Sequence, residues 1–177
     1  MMKDRVHLRC QRCAGNDISI SGERMSGFLK LYGQFSSWPL GRYLFSKGVG
    51  LKAPYFGTID ARVVDYQKGL AVFRMADTRR VRNHIGTVHA MAMCNLAELC
   101  GGMAIDSLVS HTQRWIPQGM NVKYLKKASG PITGTCRIPA TAVRLGSVQG
   151  EIDLRNEQGE QVCVVHIDFL VSPRKGA

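Results

Sequence analysis

Residues 83–98 read NHIGTVHAMAMCNLAE, and this stretch decides the fold of the chain. A polar turn that contains Gly86 runs into a nearly uncharged stretch with helical spacing. Between Val88 and Ile105 the only acidic residue is Glu98. A helix that is apolar on all sides is normally buried, and a carboxylate in such a helix is costly unless it is paired or used. The stretch therefore predicts a buried central helix in which Glu98 is a candidate for chemistry.

The bulk composition is typical of a soluble globular protein. The chain has 177 residues, of which 45% are hydrophobic, and this is enough for one domain with a sizeable core. No apolar run is long and unbroken enough to span a membrane. The first residues contain no apolar segment of the signal-peptide type, so a cytoplasmic location is expected. The six cysteines are scattered, which favours reduced thiols over a disulfide scaffold.

The formal net charge of +11 predicts attraction to an anionic partner. Short basic clusters lie at 79–82 and 123–127, but no basic helix or finger signature accompanies them, so nucleic acid is not an expected partner. His7, Cys10 and Cys13 offer three potential zinc ligands. Because no second pair follows at finger-like spacing, a plain tail is preferred there and no metal site is predicted.

The chain divides into three parts by composition and periodicity. Residues 1–24 are polar and aperiodic and form a predicted tail. Residues 25–54 form a predicted helical extension, because apolar side chains recur every three or four positions and Pro39 splits the pattern into two helices. Residues 48–54 are expected to be a loop at its end. Residues 55–177 form the predicted main domain.

The main domain is predicted to contain one helix among six strands. Alternating or apolar runs separated by turn residues mark the strands, and the expected elements are strands at 56–66 and 70–75, a basic loop at 76–86, a helix at 88–108, and strands at 120–125, 134–139, 146–154 and 161–171. Strands arranged around a single buried helix predict an α+β domain with a mostly antiparallel sheet. The sheet is expected to wrap the helix, because nothing else in the chain can cover an apolar cylinder of that length.

The pattern Asn83-x-x-Gly86-Thr87-x-His89, with Glu98 nine residues later, resembles the hotdog-fold acyl-CoA thioesterases, in particular the PaaI-like branch and its uncharacterised relatives. The later stretches MNVKYL at 120–125 and AVRLG at 142–146 resemble the strand after the helix and the strand–turn near bound coenzyme A. The likeness covers about residues 55–172. It implies a hotdog fold and hydrolysis of an acyl-CoA thioester without a metal or redox cofactor.

Two positions depart from the family pattern. The two glycines that follow the histidine in the family are Ala90 and Met91 here, so side chains narrow the approach to the helix start. The acid is Glu98, whereas PaaI-like enzymes more often carry aspartate; glutamate occurs at this place in 4-hydroxybenzoyl-CoA thioesterases. We expect these two departures to affect the catalytic rate and the choice of substrate more than the fold.

Thioester hydrolysis needs a stabilised carbonyl oxygen and a carboxylate that activates water or attacks directly. A helix start offers free amides and a partial positive charge, so the amides near His89 and Ala90 suit the oxyanion. Asn83 can orient the thioester carbonyl or the water. Glu98 can act as general base or nucleophile.

Helix geometry separates the two halves of this site. Glu98 lies nine residues beyond His89, so the two are roughly 13 Å apart along the axis and face opposite sides. If they act on one carbonyl, Glu98 must come from a second copy with an antiparallel helix. This predicts a two-fold dimer, or a dimer of dimers, with composite sites. Gly101 and Gly102, one turn past Glu98, are expected to admit a neighbouring backbone or ligand.

Structural interpretations remain open for each of these residues. Glu98 can be a structural acid paired to an arginine such as Arg62 or Arg114. Asn83 can cap the turn before the helix. His89 is interpreted as a residue that holds the loop more readily than as a proton shuttle. Thr87 is the expected N-cap of the helix.

Four cations are candidates to bind the phosphates of coenzyme A: Arg144, Lys126 and Lys127, and more weakly Arg82. Each can equally be a solvated surface charge. The aromatic-rich segment 28–45 can cover the acyl end of the site or add to an oligomer interface. Contact with a membrane surface ranks third for this segment and is not an expected property of the protein.

Two other functions fit the same fold. A non-catalytic acyl-CoA binding or sensing protein is the main alternative, because fold likeness does not establish activity. An enoyl-CoA hydratase is the other, but it requires an Asp/His pair in a different motif, and none lies around Glu98.

Overall fold

The computed structural model of the protein describes residues 26–174. Its helices are α1 (Gly27–Phe35), α2 (Gly41–Lys52), α3 (Pro54–Gly57) and α4 (Ala90–Asp106). Its strands are β1 (Arg62–Gln67), β2 (Leu70–Met75), β3 (Gln113–Tyr124), β4 (Ile132–Arg137), β5 (Gly146–Arg155) and β6 (Gln161–Pro173). None of these helices has the length and hydropathy that a bilayer span requires.

The six strands form one antiparallel sheet in the order β1-β2-β4-β5-β6-β3. The sheet wraps α4, which packs mainly against β2, β4 and β5. Thirteen of the 17 residues of α4 are buried. A curved antiparallel sheet around a single apolar helix is the expected α+β hotdog arrangement. Strands β1 and β3 are the two edges of the sheet, so among the described residues each has one side without a strand partner.

His89, not Thr87, is the N-cap of α4, so the expected cap was wrong. His89 has extended backbone angles, and its Nδ1 accepts a hydrogen bond from the amide of Met91 at 3.0 Å. Thr87 lies two residues before the cap position, and its Oγ1 accepts a hydrogen bond from Nδ2 of Asn83 at 2.7 Å. The helix therefore begins at Ala90, two residues later than predicted.

Gly101 and Gly102 face the protein's own sheet, which corrects the expectation that they admit a neighbouring chain or ligand. A Cβ on Gly101 would lie 2.9 Å from Cζ of Phe169, and a Cβ on Gly102 would lie 2.8 Å from Cη2 of Trp115. The two glycines thus let two large aromatic side chains reach the surface of α4. Trp115 and Phe169 themselves pack edge to face at 5.5 Å.

The helical extension consists of α1, α2 and α3, which pack on β1 and α4. A turn that contains Pro39 separates α1 from α2, as predicted. The loop expected at 48–54 was wrong, because α2 continues to Lys52. The buried face of α2 places Val49 one turn after Phe45, and this packing carries the helix through two glycines. Phe45 also contacts the rings of Tyr32 and Tyr66.

Two predicted strand starts were wrong as well. Strand β1 begins at Arg62 rather than at 56, because Phe56 belongs to α3 and Asp60 has a positive φ of 46°. Ile59 and Ala61 are buried, so their apolar side chains alternate with polar ones as in a strand, although these residues are not part of one. Strand β3 begins at Gln113 rather than at 120, and a bulge interrupts it after Pro117. The other predicted strands lie within two residues of the observed ones.

The cysteines of the described residues, Cys94, Cys100, Cys136 and Cys163, are free and buried thiols. The proposed tail, together with His7, Cys10 and Cys13, lies outside the described residues. Within residues 26–174 no cluster of three metal-ligating side chains occurs.

Candidate functional site

Asn83 organises the loop that leads into α4. Its Oδ1 accepts hydrogen bonds from the amides of Ile85 and Thr87, at 3.1 and 3.0 Å, and its Nδ2 donates to Oγ1 of Thr87. Its backbone amide donates to the carbonyl of Thr87, and Gly86 closes the turn with a φ of 81°. The side-chain oxygen is fully used by the loop, so the capping interpretation of Asn83 fits the structure. One hydrogen of Nδ2 remains for a ligand.

His89 joins this loop to α4 by two hydrogen bonds. Because Nδ1 accepts from Met91, that nitrogen carries no hydrogen, and the hydrogen of the neutral ring sits on Nε2. The backbone amide of His89 donates to the carbonyl of Val81 at 2.8 Å. The amides of both His89 and Met91 are therefore occupied. The expectation that the His89 amide serves an oxyanion was wrong.

Ala90 supplies the amide that remains free. It is the first residue of α4 and is half-buried, and its N–H has no acceptor within residues 26–174. The N-terminal amides of a helix carry partial positive charge. The N–H of Ala90 is thus a hydrogen-bond donor held by a rigid helix start and available to an anionic or carbonyl oxygen.

Glu98 is half-buried on α4 and has no hydrogen bond or ion pair in the part of the chain that the structure describes. Neither arginine considered as its partner pairs with it. Nε of Arg114 donates to Ser172 at 3.1 Å, and the guanidinium of Arg62 lies over the ring of Tyr43 at 5.2 Å. The structure therefore does not contain the ion pair that a structural role for Glu98 would require.

The neighbours of Glu98 on its helix face show where its carboxylate lies. One turn before it, Sγ of Cys94 is 3.1 Å from the hydroxyl of Tyr124. One turn after it, Gly102 contacts Trp115. Residues four apart share a helix face, and both contacts are with β3. Glu98 therefore faces β3, at the edge of the sheet.

The edge strand β3 is exposed along most of its length. Within residues 26–174 it pairs only with β6, and its apolar side chains Ile116 and Met120 are 53% and 38% exposed. A strand edge of this kind is a template for pairing with another chain. In one copy, Glu98 and the free amide of Ala90 are roughly 12 Å apart along the axis of α4. A single copy does not bring them together.

A cleft of about 200 Å³ opens at the start of α4, between this helix and the helical extension. Its lining includes His89 and Asn95, of which Asn95 was not among the predicted site residues. Nδ2 of Asn95 donates to the carbonyl of Tyr55 at 3.0 Å and to Oγ1 of Thr58 at 3.2 Å, whereas its buried Oδ1 has no donor. The feature of the sequence that could have identified Asn95 is that its side-chain amide stands alone in an otherwise apolar part of the helix.

Two of the four predicted phosphate-binding cations already have partners. Lys126 pairs with Glu160 at 2.6 Å, and Arg82 pairs with Asp77 at 2.7 Å. Arg144 and Lys127 are exposed, with no ion pair among residues 26–174. The two paired cations would have to exchange partners in order to bind a phosphate.

Asp77 ties the basic loop to the turn before β4. Besides Arg82, its carboxylate accepts a hydrogen bond from the amide of Gly130 at 2.9 Å. The hydrogen bond from Arg82, supported by that from Gly130, holds the pKa of Asp77 below its ordinary value. The residue therefore stays ionised over the neutral range.

The buried thiols are not poised for nucleophilic attack. Burial raises the pKa of Cys163 to about 11 and that of Cys136 to about 12. It also raises the pKa of Cys100 and, aided by the contact with Cys94, that of Tyr124. Nucleophilicity requires the thiolate, so Cys100, Cys136 and Cys163 are structural.

Comparison with known proteins gives a family and a fold. A family model described as a domain of unknown function (DUF4442) matches residues 41–171. A protein whose crystal structure comes from a genomics programme is 33% identical in sequence, with a TM-score of 0.73, and the match covers 83% of this chain and 97% of the other. No curated protein matches.

Two further solved structures carry functional names. A Pseudomonas aeruginosa protein of unknown function, named as a probable thioesterase, is 26% identical in sequence with a TM-score of 0.65, and the match covers 75% of this chain and 93% of the other. A thioesterase from Staphylococcus aureus is 21% identical in sequence with a TM-score of 0.62, and the match covers 67% of this chain and 98% of the other. These matches confirm the predicted hotdog fold.

Proposed function

Since the chain belongs to the DUF4442 family, we propose that it hydrolyses an acyl-CoA or related thioester at a site shared by two copies. The observation that carries the proposal is the half-buried carboxylate of Glu98, which has no hydrogen bond or ion pair among residues 26–174 and lies on the face of α4 that turns to the open edge strand β3. A carboxylate in an apolar helix is costly to retain without a partner. The thioesterase names of solved structures with the same fold support the reaction class.

The roles follow from the hydrogen bonds of the loop. The N–H of Ala90 donates to the thioester oxygen as negative charge develops on it. Glu98 of a second copy takes a proton from water while the water oxygen bonds to the carbonyl carbon. The C–S bond then breaks, and the coenzyme A sulfur leaves as a thiolate that takes the proton from Glu98. Alternatively Glu98 attacks the carbonyl carbon itself and the thiolate leaves; water then cleaves the anhydride between the acyl group and Glu98, which releases the acid, restores the Glu98 carboxylate and supplies the proton for the thiolate. Asn83 and His89 hold the loop that presents Ala90. The reaction needs only water as co-reactant.

A two-fold pairing through β3 meets the geometric requirement. It would place the α4 helix of each copy antiparallel to that of the other, so that each Glu98 approaches the other copy's Ala90. The exposed Ile116 and Met120 would be covered by the same contact. The assembly is a dimer or a dimer of dimers. A cytoplasmic location is part of the proposal.

Coenzyme A offers phosphates that attract cations. Arg144 and Lys127 are the first candidates because they have no competing carboxylate in the described part of the chain. Lys126 and Arg82 are the next, because release from Glu160 and Asp77 must precede phosphate binding.

One observation favours the alternative, a non-catalytic acyl-CoA binding or sensing protein. The side chain of Met91 is 57% exposed beside the free amide of Ala90, and the amide of Met91 is occupied by His89. The helix start therefore has one free donor and a bulky neighbour. A site with fewer oxyanion donors loses rate more than it loses binding.

Release of free thiol from a panel of acyl-CoA thioesters tests the proposal. We expect turnover by the wild type, a loss of at least ~100-fold in Glu98→Gln, and a smaller loss in Asn83→Ala. Glu151→Gln is the matched control, since Glu151 is an exposed glutamate on β5 that pairs with His166 of β6 and does not lie on α4. Tight binding without turnover supports the sensor. A change in enoyl absorbance without thiol release indicates a hydratase, and either result refutes the thioesterase.

A further inference from the structure

A cavity of about 620 Å³ lies between the helical extension and the end of α4. Its apolar side chains are Phe28, Leu31, Phe45, Val49, Val109 and Trp115. We call the space that these residues enclose the extension cavity and their side chains its floor. Binding sites for small molecules typically have volumes of about 300–1,000 Å³ and are lined mostly by apolar side chains. The extension cavity therefore has the size and the lining of a ligand site.

Three cations line the extension cavity without a carboxylate partner. They are Lys52, Arg114 and Arg174, and none of them forms an ion pair within residues 26–174. The single acid among the described lining residues is Asp106, which accepts a long hydrogen bond of 3.4 Å from Nε1 of Trp115. Positive charge therefore exceeds negative charge in the wall of the cavity, which favours an anionic ligand.

The two guanidinium groups are held in place by neutral partners. Nε of Arg114 donates to Oγ of Ser172 at 3.1 Å, and Nε of Arg174 donates to the carbonyl of Gln113 at 3.0 Å. A guanidinium group has five N–H donors in a planar fork, so these bonds leave the terminal nitrogens available. The partners position each arginine and neutralise none of its charge. This arrangement suits a planar anion that accepts two parallel hydrogen bonds.

The aromatic rings of the floor are already engaged with other groups. Phe28 and Phe45 pack edge to face at 6.4 Å, and Trp115 packs edge to face on Phe169 at 5.5 Å. Nζ of Lys52 lies 4.6 Å from the ring centroid of Phe28. A nucleic-acid base binds by stacking on an aromatic face, whereas a hydrocarbon chain needs only apolar contact. The floor therefore suits a flexible hydrocarbon chain better than a base.

The extension cavity is separate from the proposed active site. Along the axis of α4, Asp106 in its wall lies roughly 24 Å from Ala90 of the same copy and roughly 12 Å from Glu98. Between Glu98 and Asp106, the indole of Trp115 packs directly on Gly102. The indole closes this face of the helix, so the cavity is not a continuation of the site at Glu98.

We propose that the extension cavity binds a fatty acid, that is, a carboxylate with a hydrocarbon chain. The chain would lie on the apolar floor, and the carboxylate would accept hydrogen bonds from Arg114 and Arg174 and pair with Lys52. A neutral lipid would leave the three cations without a partner, and a polyanion such as a nucleotide would meet the carboxylate of Asp106. The proposal does not depend on hydrolysis at Glu98.

Calorimetric titration of the full chain with decanoate, below its micelle concentration, tests the proposal. We expect decanoate to bind about tenfold more tightly than octanoate, because two more methylene groups leave water. Decanol, which has the chain without the charge, should bind much more weakly. Absence of decanoate binding at ~1 mM overturns the proposal. Equal affinities for octanoate and decanoate, or for decanol and decanoate, overturn it as well.

Arginine variants test the position of the carboxylate. Arg114→Gln/Arg174→Gln should bind decanoate at least ~10-fold more weakly, because hydrogen bonds to a charged group are lost. Arg79→Gln/Arg137→Gln is the matched control, since it removes the same charge at two exposed arginines outside the cavity, and it should bind like the wild type. Lys52→Gln is a second, independent variant with a smaller expected loss. Circular dichroism verifies that all variants fold. Equal affinities of the wild type and the Arg114/Arg174 variant contradict the proposal.

Tryptophan emission shows where the acid binds. In Trp38→Phe the remaining tryptophan is Trp115, which lines the cavity, so its emission should change when decanoate is added, and an unchanged spectrum speaks against the proposal. Glu98→Gln should bind decanoate like the wild type, even if the chain proves to have no thioesterase activity. A loss in Glu98→Gln places the acid in the proposed active site and overturns the proposal. Binding of ADP in place of decanoate, with the same dependence on the two arginines, identifies a nucleotide site and overturns it too.

Discussion

Gly102 lies directly against the indole of Trp115, so closely that a Cβ on the glycine would be 2.8 Å from Cη2. The contact fixes β3 to the helix face that carries Glu98. Substitution Gly102→Ala should lower the free energy of unfolding by ~1–3 kcal/mol, because the indole must shift within a packed core. Denaturant unfolding followed by tryptophan emission measures the change.

Gly48→Ala is the matched control for this prediction. Gly48 lies within α2, and a Cβ there would meet nothing within 4 Å. Alanine in a helix interior is favoured over glycine by ~0.5–1 kcal/mol, so the control should stabilise the protein. Equal effects of the two substitutions would show that the indole does not resist the added methyl group.

The substitution Asn95→Asp should lower the stability of the protein by an amount that depends on pH. Replacement by aspartate would place a carboxylate against the carbonyl of Tyr55, which now accepts from Nδ2. We expect Asn95→Asp to lose ~3 kcal/mol of stability at pH 7. Burial would raise the pKa of the new carboxyl above its unfolded value of about 4, so the folded state binds the proton more tightly and the loss should shrink as pH falls towards that value.

Unfolding curves at several pH values measure this effect. Asn121→Asp is the control, because Asn121 is exposed on β3 and should change stability by no more than ~0.5 kcal/mol. A pH-independent loss in Asn95→Asp would mean that the new carboxyl reaches solvent.

Asp77 contributes stability that should be lost at acidic pH. Its folded pKa is lowered by the hydrogen bonds from Arg82 and Gly130, so its contribution is present above the unfolded pKa of about 3.9 and is lost as pH falls through the folded value. Asp77→Asn should therefore cost ~1 kcal/mol at pH 7. The difference from wild type should vanish at strongly acidic pH. A difference that persists there would assign the effect to packing instead of charge.

Much of the fold could be predicted because the strongest patterns belong to buried elements. The uncharged run before Glu98 located α4 to within two residues, and alternation located β5 and β6. The errors arose where burial does not follow a strand or helix period. Strand β3 is exposed along most of its length and interrupted by Pro117, so its first half left no alternating pattern.

Asn83, Ala90 and Glu98 stay predicted site residues, and the structure adds the hydrogen bonds of the loop that carries two of them. The occupied amide of His89 could not be foreseen, since its acceptor is the carbonyl of Val81 on the other side of the loop. Asn95 was overlooked because its partners lie on the helical extension, about 40 residues earlier in the chain.

The substitution Ala90→Pro should remove the free amide without disturbing the fold. Proline is tolerated at the first position of a helix, and the residue before it must be extended, which His89 is with φ −68° and ψ 138°. The N–H that is lost has no acceptor within the described chain, so we expect unfolding to change little. Thioester hydrolysis should fall by ~10²–10³-fold, as for loss of one oxyanion donor. Comparable activity of Ala90→Pro and wild type would assign the oxyanion to another group.

Mixing Ala90→Pro with Glu98→Gln then tests whether the site is shared. Each homodimer lacks one component of both sites, whereas a mixed dimer combines Ala90 of one copy with Glu98 of the other in one intact site. After random exchange of subunits half of the dimers are mixed, so about a quarter of the wild-type activity should return. Dimers whose exchange is blocked by cross-linking before mixing serve as the control and should stay inactive. If exchange is complete by mass spectrometry and no activity returns, Ala90 and Glu98 do not act together across two copies.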